Sequence, residues 1–178
     1  MVASVFAYTV LSAGIFSSQK AQEAIYSGLQ ETRSTLELKG GVIAKDTDDD
    51  NYVDQLTFTV ANALGGEPID FTTPTNNNGV AAANSNNVVV ISYIDKDKRV
   101  DDLYWTYTEL GSGDGDALLE DNEKFQITIP YLEGTATGLS NHIGTNRTFT
   151  IEVKTPNGAV LTIERTTPAV IDDVVNLD

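Results

Sequence analysis

Hydrophobic positions run almost unbroken from Met1 to Phe16 (MVASVFAYTVLSAGIF), and no charged side chain occurs before Lys20. As a helix these sixteen residues span roughly 24 Å, just short of the about 20 residues of a usual membrane span. Val2, Val5, Phe6, Val10, Leu11, Ile15 and Phe16 cover most of the helical wheel. A helix that is apolar all round has to be buried in lipid or among other helices. From Gln19 to Arg33 the pattern narrows to one side, with Ala21, Ala24, Ile25 and Leu29 at 3–4 spacing, an amphipathic continuation of the same helix. Residues 1–34 are therefore expected to form an assembly helix. Its contacts are expected at the seven apolar residues above with Gly14, Ile25 and Leu29, the glycine admitting a close neighbour.

The period then changes from helical to alternating. Thr35–Ala44 and Tyr52–Ala61 read as strands, the second pointing Val53, Leu56, Phe58 and Val60 inward. Gly65–Pro68 and Thr72–Asn87 read as loops, with an exposed tip over Thr75–Gly79. Val88–Ile94, Leu103–Leu110 and Glu123–Tyr131 are further strands. Arg147–Lys154 and Ala159–Arg165 form a hairpin whose Asn157-Gly158 supplies positive φ for the turn. Short alternating strands between turn signals predict a sandwich. The expected class is α+β: a long N-terminal helix followed by an antiparallel Ig-like β-sandwich over residues 35–178.

Charge sharpens this division. The formal net charge is −15, yet residues 1–45 carry +1, which leaves −16 on the rest. A nearly neutral apolar stem thus joins a strongly acidic body, and that body lacks the basic surface that nucleic acid requires. There is no cysteine, hence no disulfide or thiolate metal site. Enzyme chemistry is not expected: the single histidine, His142, sits in a Gly/Ser/Asn-rich loop, and no nucleophile elbow, phosphate loop or zinc-protease motif occurs. No basic stretch precedes the apolar run, unlike a secretory signal.

Two acidic loops are candidate cation sites, with Ca2+ the ion they suit; no cofactor is required. Asp46, Asp48, Asp50 and Asp54 stand at alternate positions with one more beyond, as in a loop built to give a hard cation six to eight oxygens. The match is partial, because Asn51 replaces the turn glycine and Thr57 the closing glutamate. Asp114 and Asp116 form a looser cluster. Asn146-Arg147-Thr148 is the one N-x-[ST] sequon in the chain, which makes Asn146 the candidate glycosylation site.

The first 44 residues, in which Val10-Leu11, Ala13-Gly14 and Gln19-Lys20 form a V-L-x-A-G-x-x-x-x-Q-K stretch, resemble the N-terminal region of archaellins, the archaeal flagellins. Val100–Trp105, Asp116–Phe125 and Phe149–Thr167 also resemble segments of their bodies. The resemblance implies a subunit that polymerises through its helix, with copies of itself, into an extracellular surface filament used for swimming. It further implies motor and platform proteins at the filament base, a prepilin-type peptidase acting on a precursor, membrane contact only before assembly, and outer domains that are often N-glycosylated and sometimes hold metal. The basic leader of that family and the residues that open its mature helix have no counterpart here, so Met1 is expected to fall within the family's helix. The alternatives are a pilin-like adhesion filament subunit and a membrane-anchored extracellular binding domain.

Overall fold

The computed structural model describes residues 2–33, 36–63, 67–111, 113–156 and 159–177. One helix, α1 (Val2–Arg33), spans 32 residues, about 48 Å at 1.5 Å per residue. The apolar run and its amphipathic continuation are thus a single element. Strands follow: β1 (Leu36–Lys45), β2 (Gln55–Asn62), β3 (Ile69–Asp70), β4 (Asn76–Asn77), β5 (Val80–Ala81), β6 (Val90–Asp95) and β7 (Arg99–Val100). After these come β8 (Thr106–Glu109), β9 (Leu118–Leu119), β10 (Lys124–Ile129), β11 (Thr148–Lys154), β12 (Val160–Thr166) and β13 (Val174–Asn176).

Two antiparallel sheets make the body: five strands in the order β13-β1-β2-β10-β8, and four in the order β12-β11-β6-β7. Alternation decides which side chains meet between them, since successive residues of a strand face opposite ways. Leu56, Phe58 and Val60 of β2, Phe125, Ile127 and Ile129 of β10, Ile91 and Tyr93 of β6, and Ile151 and Val153 of β11 are all buried in one cluster. Phe71 packs edge-on against both Trp105 and Phe125, with ring centroids 5.6 Å apart in each pair. Inward Val53, Leu56, Phe58 and Val60 match the sequence pattern.

β1 departs from a simple strand. Lys39 pairs with Thr59 and Ile43 with Thr57, so three residues, Gly40 to Val42, face the single residue Phe58. Gly40 takes φ +79 in this bulge, a conformation open to glycine and costly for residues with a Cβ. An excess of two residues preserves parity, and Leu36, Val42 and Ala44 all reach the core.

The short strands differ from expectation. The polar stretch Thr72–Asn87 holds a small hairpin, β4 against β5, and its tip is exposed except at Gly79, which is buried. β3 pairs with β9, and β13 pairs with β1 through Ile43–Asn176 and Lys45–Val174. These strands are too short to show a period, and tertiary pairing makes them. Gly65-Gly66 and the Asn157-Gly158 turn lie outside the described residues, although the hairpin that Asn157-Gly158 predicts is present as β11–β12.

Candidate functional site

Helix α1 presents the first candidate surface. Every side chain of α1 that the structure describes is exposed; for the large hydrophobics Tyr8, Val10, Leu11, Ile15, Phe16, Ile25 and Tyr26 the exposure is 58–74%. Tyr8, Leu11, Ser12, Ile15, Phe16 and Gln19 line one concavity of about 460 Å³ along a single helix face. A Cβ built on Gly14 would meet nothing within 4 Å, so a second helix can approach there. The side chains of Val2, Val5, Phe6 and Leu29 lie outside the described residues. Among the described residues, no helix is long and apolar enough to cross a membrane. Soluble monomers rarely leave contiguous apolar surface of this kind uncovered.

The loop from Asp46 to Asp54 is the second candidate. Asp46 is buried, and its carboxylate accepts N–H bonds from Asp48 (3.2 Å), Asp49 (2.8 Å) and Asn51 (2.8 Å). It is the internal cap of the turn. Asn51 adopts φ +68, the left-handed conformation that asparagine tolerates better than most residues. It therefore does the work of the glycine it replaces. Asp54 accepts bonds from both the backbone and the hydroxyl of Thr47.

Thr57 lies in β2, away from the loop, and a carboxylate from elsewhere in the chain, that of Glu133, lies beside the loop's aspartates. Glu133 belongs to the segment after β10, which the backbone ties to the loop through Leu132 N–H to Asp54 O (3.0 Å) and Val53 N–H to Ile143 O (3.0 Å). Carboxylate oxygens of Asp48, Asp50 and Glu133 lie within 4.8 Å of one another, as do those of Asp46, Asp48 and Asp54. Asn141 joins the group, its backbone N–H bonded to Glu133 Oε1 (2.5 Å) and its amide to Asp50 Oδ2 (2.8 Å).

Crowded negative charge marks this pole electrostatically. The Asp48 carboxyl is raised above its usual range by desolvation and then by Asp50, Asp54 and Asp46. Glu133 is raised mainly by burial, with Asp50 and Asp54 adding to it against the Asn141 N–H. Asp173 raises Asp49. A hard divalent cation would relieve this repulsion, and the donor set is all oxygen, as Ca2+ demands. Asp114 and Asp116 are different: both are exposed, each caps a backbone N–H two residues on, and among the described residues they join no three-acid group.

His142 turns out to have a structural partner that sequence patterns did not reveal. Its Nε2 lies 2.8 Å from Asp95 Oδ2, and Asp95, with no exposed side-chain surface, also accepts Arg147 Nη1 at 2.6 Å and the Tyr93 hydroxyl at 2.8 Å. The N–H groups of Asp97 and Lys98 complete its shell. Burial alone would raise Asp95; the Tyr93, Asp97, Lys98 and Arg147 bonds outweigh it and hold the carboxyl well below its ordinary range.

Asn146 is exposed at φ +52 in the turn that enters β11, its N–H bonded to Pro168 O at 3.0 Å. Its sequon partner Thr148 is also exposed, with Oγ1 2.8 Å from that of Thr166.

Known proteins resemble the chain along nearly its whole length. The family model for archaeal-type flagellin matches residues 1–165. A probable flagellin of Archaeoglobus fulgidus is 36% identical, with the match covering 99% of this chain and 86% of that protein. A probable flagellin of Aeropyrum pernix is 27% identical over 95% and 85%. In fold, the chain is similar to a subunit of the archaeal flagellum of Methanospirillum hungatei, with TM-score 0.64, 24% identity and coverage of 99% and 90%.

Proposed function

The chain belongs to the archaeal-type flagellin family, and from that premise we propose that α1 is the element through which it polymerises. The protein is a structural subunit of the archaellum, the extracellular filament used for swimming motility. The observation that carries the proposal for α1 is the uninterrupted exposure of its apolar side chains, from Tyr8 to Tyr26. Burying a Val, Leu, Ile or Phe is worth about 1.5–3 kcal/mol. Copies of the same helix are the partner that covers all sides at once, and a repeated contact that does not close gives an open helical polymer. The acidic bodies then face the medium and repel neighbouring filaments.

Other parts follow from the family with support from particular residues. Filament motor and platform proteins act at the base, and a prepilin-type peptidase processes the precursor, with membrane contact only before assembly. The loop Asp46–Asp54 with Glu133 binds Ca2+, supported by the convergence of five carboxylates on one loop pair. Asn146 carries an N-linked glycan, supported by its exposure within the sequon. The role is structural and not catalytic.

Deleting residues 2–33 tests the central reading. The body should then stay folded and monomeric while filaments disappear from electron micrographs; filaments built from the shortened chain would overturn it.

A further inference from the structure

A groove of about 560 Å³ opens on the outward face of the four-stranded sheet, and Asn146 is part of its wall. That volume falls within the about 300–1,000 Å³ of sites that hold drug-sized ligands. Register explains its floor. Thr150 pairs with Ile94 of β6 on one side and Glu164 of β12 on the other, so the three form a row across the sheet. Thr148, two residues earlier in β11, lies on the same outward face because strand side chains alternate. Lys96 stands two residues beyond Ile94 and closes one side. From Asn146 the groove thus runs along Thr148 and Thr150, between Lys96 and Glu164.

We propose that this groove cradles the first sugars of a glycan carried on Asn146, resting on the reading of Asn146 as glycosylated. The chemistry suits a carbohydrate. Two threonine hydroxyls, a carboxylate and an ammonium offer donors and acceptors to sugar hydroxyls, and Ile94, half-buried, offers an apolar surface to the C–H face of a ring. The backbone of the turn that carries Asn146 is held by hydrogen bonds. The Asn146 N–H is bonded to Pro168 O, the Arg147 N–H to Thr167 Oγ1 at 2.8 Å, and the Thr167 hydroxyl to Gly144 O at 2.6 Å. Attachment needs a glycosyl donor activated by a phosphate leaving group at its anomeric carbon. The C–N bond to Asn146 Nδ2 forms, the anomeric C–O bond breaks, and the amide proton leaves with the phosphate. The cradle turns a flexible appendage into a second layer on the outer sheet.

Filaments isolated from cells expressing the chain, imaged by electron cryomicroscopy and digested for mass spectrometry, test this. The expected result is added hexose-type mass on the peptide holding Asn146, with ordered density from Nδ2 along Thr148 and Thr150. In Thr150→Arg filaments that mass should persist while the density in the groove is lost. Thr148→Ala, which leaves Asn146 and its turn intact, should remove both. An unmodified Asn146 peptide overturns the glycosylation reading and the cradle together. A modified peptide whose sugar density points into solvent, or a groove filled by a neighbouring subunit, overturns the cradle alone.

Discussion

Asp95 Oδ2 and Arg147 Nη1 lie 2.6 Å apart across 52 positions of sequence, and this contact ties β6 to the turn that begins β11. Removing the Asp95 carboxylate takes a shared acceptor from Arg147, the Tyr93 hydroxyl and the N–H groups of Asp97 and Lys98, and each buried donor left unsatisfied costs about 1–3 kcal/mol. Asp95→Ala is therefore expected to lower the melting temperature far more than Asp97→Ala, whose carboxylate is partly exposed and 3.1 Å from the same guanidinium. Calorimetry of the two variants decides it; equal small losses would sink the account.

The same carboxylate carries a pH signature. Its folded pKa is depressed, so the stability it contributes is complete above its unfolded value of about 3.9. That contribution is lost as pH falls from there toward the folded value. The gap in melting temperature between the wild-type chain and Asp95→Ala should be constant from pH 7 to about 5 and shrink below about 4. A gap that widens in acid contradicts the assignment.

For the stem, Ile15→Asp is predicted to abolish filaments on negative-stain grids while the body keeps its strand-rich circular dichroism. A lone carboxylate among packed apolar helices costs several kcal/mol in each subunit. Thr162→Asp, on the exposed face of β12, serves as the control and should assemble normally.

Cation binding should respond to Glu133 and ignore Asp116. Titration of the chelated chain with Ca2+ is expected to show saturable heat and a rise in melting temperature. Glu133→Gln should weaken that affinity by on the order of 10–100-fold, and Asp116→Asn should leave it unchanged. Absence of heat in the unmutated chain would remove the site.

Gly40→Val places a β-branched residue at φ +79 and should cost roughly 1–2 kcal/mol, although a Cβ there would meet nothing within 4 Å. Gly41→Val, outside the left-handed region, should cost less. Urea denaturation of the pair separates backbone strain from crowding.

The helix and six long strands were legible from local patterns: an unbroken apolar run to Phe16 followed by 3–4 spacing along Gln19–Arg33, and a period of two along segments such as Tyr52–Ala61. β13 was not, since Val174–Asn176 is three residues long and becomes a strand only by pairing with Ile43–Lys45. The acidic loop was half legible. Its four aspartates declare themselves by spacing, but Glu133 and Asn141 reach it through backbone bonds from distant sequence. Asn51 departs from the glycine of that pattern, and its left-handed φ of +68 is set by the folded turn and is not readable from spacing. His142 gave no signal, because its meaning lies in Asp95, 47 positions away.

β1 follows α1 in the chain and is not an edge strand: β2 lies along one side of it and β13 holds its far end on the other. A filament subunit must pass tension from its stem into its body. Here the load enters along the axis of a strand bonded to β2 at both ends and to β13 at its far end, so failure requires many ladder bonds to slide at once. An edge strand would instead peel bond by bond. The C-terminal residues thus act as a clamp against shear at the end of the strand farthest from the stem.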